Sequence, residues 1–286
     1  MCFRGLRLRK AALLGAAFLF VLSAGCAALM DPRDAYDQVA ADGGFERRSF
    51  FSGAEQLRGY SRLRGTRSDM LTLYIEGDGA PWPWSDTPPP DPTPIRTRVL
   101  QMASAEPGSA VAYLARPCQF LPALELRRCP VELWSRERFS EPAVRQLDRA
   151  VQALKQEAGA KRLRLVGFSG GGTMAALLAL MRDDVEVLIT AAAPMNLSRW
   201  TKLHRVSGIA PEFDLAERLR SERPGLLQIH LVGDNDAIVP PSLFHPSGAP
   251  GAKLRVVEIP GFDHDCCWGT EWSRLLTQIS RIIAGE

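Results

Sequence analysis

Histidine is scarce in this 286-residue sequence, with four in all, so chemistry that needs an imidazole has few places to find one. After Lys10 there is no lysine- or arginine-rich run and no basic patch interleaved with aromatics. That removes the usual footprint of a nucleic-acid-binding protein. No internal repeat is evident and no linker divides the chain, so one domain is expected. A long hydrophobic run is missing too: the most apolar stretch, Ala11 to Leu22, stops short of the roughly 20 residues that span a bilayer. With 46% hydrophobic and 23% charged residues, the composition excludes a disordered or collagen-like chain and provides for a sizeable core.

The short apolar run is informative through its neighbours. Arg4, Arg7, Arg9 and Lys10 precede it with no acid among them, and Ser23-Ala24-Gly25-Cys26 follows it. A basic segment, a short apolar core and small residues are the parts of a secretory signal peptide, with an uncleaved signal anchor as the alternative. Ser23 to Cys26 also resembles the lipobox of bacterial lipoproteins, with serine where leucine is usual. That resemblance implies cleavage before Cys26 and lipidation of Cys26. Because Ala27 follows, it further implies an outer-membrane protein facing the periplasm. The chain then divides into a signal peptide (1–25), a tether (26–44) and a folded domain (45–286). Removing residues 1–25 lowers Lys plus Arg from 35 to 31 against 32 Asp plus Glu, so a formal charge of +3 becomes −1. The basic balance belongs to the leader.

Export changes how the cysteines are read. Cys118 and Cys129 could close a short loop in an oxidising compartment, worth about 2–3 kcal/mol. Cys266 and Cys267, as adjacent residues, are a harder pair to bridge. Four cysteines allow three pairings, and the sequence does not choose among them. A metal site from His264, Asp265, Cys266 and Cys267 is disfavoured, since sequence neighbours rarely converge on one tetrahedral ion. No metal or organic cofactor is expected.

β-prone runs fall near Phe45–Ser52 and Leu57–Arg64, and strands are read at Leu71–Ile75, Ala110–Ala115, Leu163–Phe168, Val185–Ala191, Leu226–Val232 and Lys253–Ile259. Helical spacing is found over Ile95–Ala105, Glu141–Ala158, Gly170–Met181, Glu212–Ser221 and Glu271–Ala284, with Ser140 as an N-cap and Gly159 as a stop. Pro81 to Pro94, with seven prolines and two tryptophans, is a loop. Nearly continuous apolar strands alternating with helices predict an α/β fold: an eight-stranded, mostly parallel sheet with helices on both faces. The first two strands are expected to be antiparallel at one edge.

Gly167-Phe168-Ser169-Gly170-Gly171 stands between one of these strands and the helix that follows. This is a G-x-S-x-G elbow in the strand–turn–helix context it requires, with the serine at a helix N-terminus that favours developing negative charge. A serine nucleophile needs a base, and the base needs an orienting acid. The strand ending at Val232 runs into Gly233-Asp234-Asn235-Asp236-Ala237-Ile238-Val239-Pro240, and the last strand into Pro260-Gly261-Phe262-Asp263-His264.

With Ser169, Asp236 and His264 in that order, the chain resembles the α/β-hydrolases from about Phe45 to Ala284. Asp-x-x-Val-Pro resembles the family's acid loop, which selects Asp236 and leaves Asp234 as a turn cap. His230 reads as a core residue, while His204 and His245 sit in loops where the family places no base. The resemblance implies an α/β-hydrolase fold and an oxyanion hole from the amides of Gly170 and Asp78, in a loop where Glu76 replaces a usual histidine. It further implies a serine hydrolase that cleaves a small or acyl ester or thioester through an acyl-enzyme. A peptidase of the same fold and a non-catalytic binding or scaffold lipoprotein are the alternatives. Trp82 and Trp84 would lie beside the oxyanion loop. The lid region Pro194–Pro211 is short, with Trp200 its one large aromatic residue. Arg116 and Arg138 read as solvated surface charge, with a role toward an anionic substrate as the alternative.

Overall fold

In the computed structural model, which describes residues 31–51, 53–65, 68–80, 87–206, 209, 214–244 and 253–285, the apolar runs form eight strands. The signal peptide, Cys26, Trp82, Trp84 and His245 lie outside the described residues. The strands are β1 (Glu46–Phe50), β2 (Leu57–Leu63), β3 (Met70–Ile75), β4 (Ala110–Leu114), β5 (Arg162–Phe168), β6 (Val185–Ala191), β7 (Leu227–Gly233) and β8 (Leu254–Ile259). They make one sheet in the order β1-β2-β4-β3-β5-β6-β7-β8. The pairs β1–β2 and β2–β4 are antiparallel, and the rest are parallel. The carboxyl ends of β3, β5, β7 and β8 therefore open on the same edge, which is where sheets of this kind bind ligands.

Alternation along the central strands divides the core into two layers. Leu71, Leu73 and Ile75 of β3 and Leu163 and Leu165 of β5 join one buried cluster. Tyr74 of β3 and Val166 and Phe168 of β5 join the other. The helices in chain order are α1 (Pro32–Asp42), α2 (Arg98–Ala105), α3 (Ala123–Leu126), α4 (Glu141–Ala158), α5 (Gly170–Met181), α6 (Leu197–His204), α7 (Leu215–Glu222) and α8 (Trp272–Ala284). Helices α4, α5 and α7 cover the first layer, and α1, α2 and α8 cover the second.

The burial of α4 follows its sequence: Ala143, Val144, Leu147, Ala150, Val151 and Leu154 form one apolar stripe, and Gly159 ends the helix at φ +64°. Ser140 precedes it without a capping hydrogen bond from its side chain. Two helices start where a polar cap forces them to. The Asn196 side chain accepts from the Arg199 amide to begin α6, in a stretch where the sequence pattern predicts no helix. The Asp214 side chain accepts from the Glu217 amide, so α7 starts three residues later than expected.

The segment read as a tether is corrected by the structure for its described part. Residues Pro32–Asp42 form a helix capped by Asp31, and its Tyr36 is fully buried. Arg33 Nη2 donates to Asp91 at 2.7 Å and to the Leu121 carbonyl at 2.9 Å, and Tyr60 Oη donates to Asp37 at 2.7 Å. The helix docks through hydrogen bonds and one aromatic ring rather than through an apolar stripe, so its periodicity is weak.

Candidate active site

Ser169 sits between β5 and α5 with φ +51°, a left-handed conformation that costs a non-glycine residue energy. The surrounding glycines make that turn possible. A Cβ on Gly167 would collide with the Gly171 carbonyl, and one on Gly171 would collide with the carbonyls of Ile75 and Glu76. Helix α5 can thus start against the end of β3, which brings the loop after β3 alongside the serine. A Cβ built on Gly77 would lie 3.7 Å from that of Ser169.

The turns after β7 and β8 bring two more side chains to this point. His264 Nε2 is 3.1 Å from Ser169 Oγ, and His264 Nδ1 is 2.9 Å from Asp236 Oδ2. Asp236 is 2% exposed, and its Oδ1 accepts from the amides of Ile238 and Val239, each at 2.8 Å. Those two bonds fix the carboxylate's orientation. Asp234 turns away and accepts from the Gly261 amide at 2.7 Å. Of the other histidines, His230 is fully buried and hydrogen-bonded to Thr190 at 2.8 Å; burial lowers its pKa to about 4. His204 ends α6 on the cleft wall, stacked near Trp200, and a ring nitrogen of each reaches the Ile238 carbonyl (2.7 Å from His204, 2.8 Å from Trp200).

The loop Glu76-Gly77-Asp78-Gly79 is pinned from beneath. Glu76 Oε1 accepts from the Gly77 amide at 2.9 Å, and Gln119 donates to the Gly77 carbonyl at 3.0 Å. Glu76 Oε2 lies 2.8 Å from Tyr113 Oη and 2.9 Å from Tyr36 Oη, while Tyr36 Oη is 2.6 Å from the Arg96 carbonyl. The single Tyr36 hydroxyl proton can go to the Glu76 carboxyl or to the Arg96 carbonyl. Burial pushes the Glu76 carboxyl upward from its ordinary range. No sequence pattern points to this cluster, because Tyr36, Glu76 and Tyr113 belong to α1, the β3 loop and β4.

Asp78 is where the two loops touch: its carboxylate occupies the space a Cβ on Gly170 would need. Arg116 Nη1 approaches Asp78 Oδ1 at 3.2 Å, and Arg138 Nε approaches Oδ2 at 2.9 Å. The side chains of Arg116 and Arg138 are 4% and 8% exposed, which corrects their reading as solvated surface charge. Cys118 and Cys129 are bonded to each other in the segment between these arginines, with Cα atoms 5.9 Å apart, and Cys266 is bonded to Cys267.

Glu76, Asp78, Arg138, Ser169, His204 and His264 line a cleft of about 940 Å³. Ile95, Val131, Ile209, Ile238 and Phe168 supply its apolar lining, and Ser169 and His264 face into it. Among the described residues, no group of three or more His, Cys, Asp or Glu is placed to hold a metal.

Comparison with solved structures agrees with this geometry at the level of the backbone. Est1E from Butyrivibrio proteoclasticus superposes with a TM-score of 0.55 at 14% identity, over 84% of this chain and 98% of its own. The fold is that of the α/β-hydrolases. An α/β serine hydrolase without lid from Xanthomonas campestris matches at TM-score 0.51 and 14% identity, over 84% of this chain and 93% of its own. The acylaminoacyl peptidase of Pyrococcus horikoshii matches at 0.57 and 13%, over 83% of this chain and 41% of its own. No protein-family model and no curated protein matches the sequence.

Proposed function

We propose that this protein is a serine hydrolase that cleaves a carboxylic ester or thioester through an acyl-enzyme. It would be exported and held on the outer membrane, facing the periplasm, by a lipid on Cys26. The observation that carries the chemistry is the unbroken hydrogen-bond chain from Ser169 through His264 to Asp236 at a strained elbow. His264 Nε2 takes the Ser169 proton as Oγ bonds to the substrate carbonyl carbon, and Asp236 stabilises the imidazolium through Nδ1–H. The amides of Gly170 and Asp78 stabilise the negative charge that forms on the carbonyl oxygen. As the tetrahedral intermediate collapses, the bond to the alcohol or thiol breaks, and the proton on Nε2 goes to that leaving group. Water then repeats the sequence on the acyl-enzyme, with His264 as base, and frees the acid.

The neighbours bear on this reading only through their fold, which also serves a peptidase. An ester is favoured because the described residues form one sheet domain with no second domain to enclose a peptide. A fluorophosphonate probe tests the nucleophile: it should label the folded wild type and leave Ser169→Ala unlabelled. An unlabelled wild type, or equal labelling of the variant, sinks the proposal. Nitrophenyl esters of increasing chain length, run beside peptide amides, separate esterase from peptidase.

A further inference from the structure

Two carboxylates in the cleft are each shared by two arginines. Asp78, at the oxyanion loop, lies between Arg116 and Arg138. Asp265, next to His264, lies between Arg96 at 3.2 Å and Arg98 at 2.8 Å, and the Arg98 guanidinium stacks on Phe168 with 4.7 Å to the ring centroid. One guanidinium suffices to neutralise one carboxylate, so the Asp78 cluster holds a positive surplus, whereas Asp263 also interacts with Arg98 and balances the second cluster. The surplus is local, because the chain after residue 25 carries a formal −1.

At Asp78 the two arginines are not equivalent. Arg116 sits behind the carboxylate and spends Nη1 on Asp78 and Nη2 on the Arg138 carbonyl at 2.5 Å. Arg138 lines the cleft. Its Nε faces Asp78 and its Nη1 donates to the Ser135 carbonyl at 2.8 Å, while its Nη2 has no partner in the described chain and is not among the enclosed polar atoms. The guanidinium is therefore already desolvated, held on two sides and left with one edge toward the cleft. A group fixed in that way binds a carboxylate or phosphate oxygen without ordering itself first, and low surrounding polarity strengthens the contact.

We propose that the cleft selects esters carrying a compact anionic group, a carboxylate or a phosphate, and that Arg138 is the residue that determines this specificity. This rests on the serine-hydrolase reading. A purely structural role, in which Arg138 only steadies Asp78 and the oxyanion loop, would affect neutral and anionic esters alike.

Two matched pairs test it: 4-nitrophenyl butyrate against 4-nitrophenyl hydrogen glutarate, with the charge on the acyl side, and phenyl acetate against 4-acetoxybenzoate, with the charge on the leaving group. The wild type should show a KM about tenfold lower for the charged member of one pair, the size expected of one charge-assisted hydrogen bond, and the pair that responds locates the anion. Added salt should erode the preference. Arg138→Gln should abolish it while Arg138→Lys retains part of it. Inorganic phosphate and succinate as competitive inhibitors of the wild type tell the two anions apart, and they keep the test valid if Arg138→Gln fails to fold. Equal KM values within both pairs, with neither anion inhibiting, overturn the proposal and leave the hydrolase standing. If no ester is cleaved and the fluorophosphonate does not react, both readings fall.

Discussion

On one side of the cleft, Ser169, Asp236 and His264 each come within five residues of the end of a parallel strand, and each is flanked by turn residues that sequence alone displays. On the other wall, Asp78 meets Arg116 and Arg138 from separate loops, above a cluster in which α1 lends Tyr36 to Glu76. The first wall is built by local rules repeated at strand ends. The second is assembled from four distant segments whose side chains have no mutual spacing. A protein can thus write one side of a cleft into short motifs and leave the other to long-range packing.

The sharpest break of the first wall is Asp236→Asn, which keeps the shape and two backbone hydrogen bonds but leaves His264 in the wrong tautomer. Ester turnover should fall by about 10⁴-fold with folding intact, measured as kcat on a nitrophenyl ester beside a circular dichroism melt. An active Asp236→Asn beside an inactive Asp234→Asn would mean that the acid had been assigned to the wrong aspartate of this loop.

His230 extends the comparison to stability. Its folded pKa of about 4 lies below the ordinary 6.5, so the unfolded chain binds the extra proton between those values. Its contribution is whole above pH 6.5 and disappears as pH falls toward 4, amounting to about 3 kcal/mol. Urea unfolding across that window should show the loss, and His230→Gln should flatten it.

On the second wall, replacing Cys118 and Cys129 together with serine opens the loop between the two arginines. The expected cost is about 2–3 kcal/mol, read from the denaturation midpoint. The discrimination between charged and neutral esters should fall further than turnover of the neutral one. If only stability changes, the disulfide has no part in ordering the arginines.

The smallest effect is expected from Tyr36→Phe, about 1 kcal/mol for one buried hydrogen bond. Glu76 is the informative partner here. With its carboxyl raised by burial, the unfolded chain loses that proton first, so stability declines as pH climbs above the usual carboxylate range until the folded group also ionises. Glu76→Gln, neutral at every pH, should remove that decline. A decline that persists in the variant would place its origin elsewhere.

Legibility along the chain follows the same division. The strand runs from Leu71 to Gly233 were readable to within a few residues, since a two-sided buried strand must be apolar throughout. The elbow was readable because its glycines are required by contact distances that any residue with a Cβ would violate. Helix α1 was not, because Asp31 to Gly44 contains few apolar residues and owes its place to hydrogen bonds with Asp91, Leu121 and Glu76. Arg116 and Arg138 were misread for the same reason. A charged residue declares itself solvated until the fold supplies a buried partner.

By itself the amino-acid sequence determined the α/β architecture and the order of serine, acid and histidine, because periodicity and turn chemistry act over a few residues. With only four histidines to choose from, composition alone narrowed the choice of base. Only the tertiary structure decided that Glu76 is a buried support held by two tyrosines and that two arginines share Asp78 at the cleft. Those states depend on desolvation and on neighbours brought together from far apart, and neither quantity exists along the chain until it has folded.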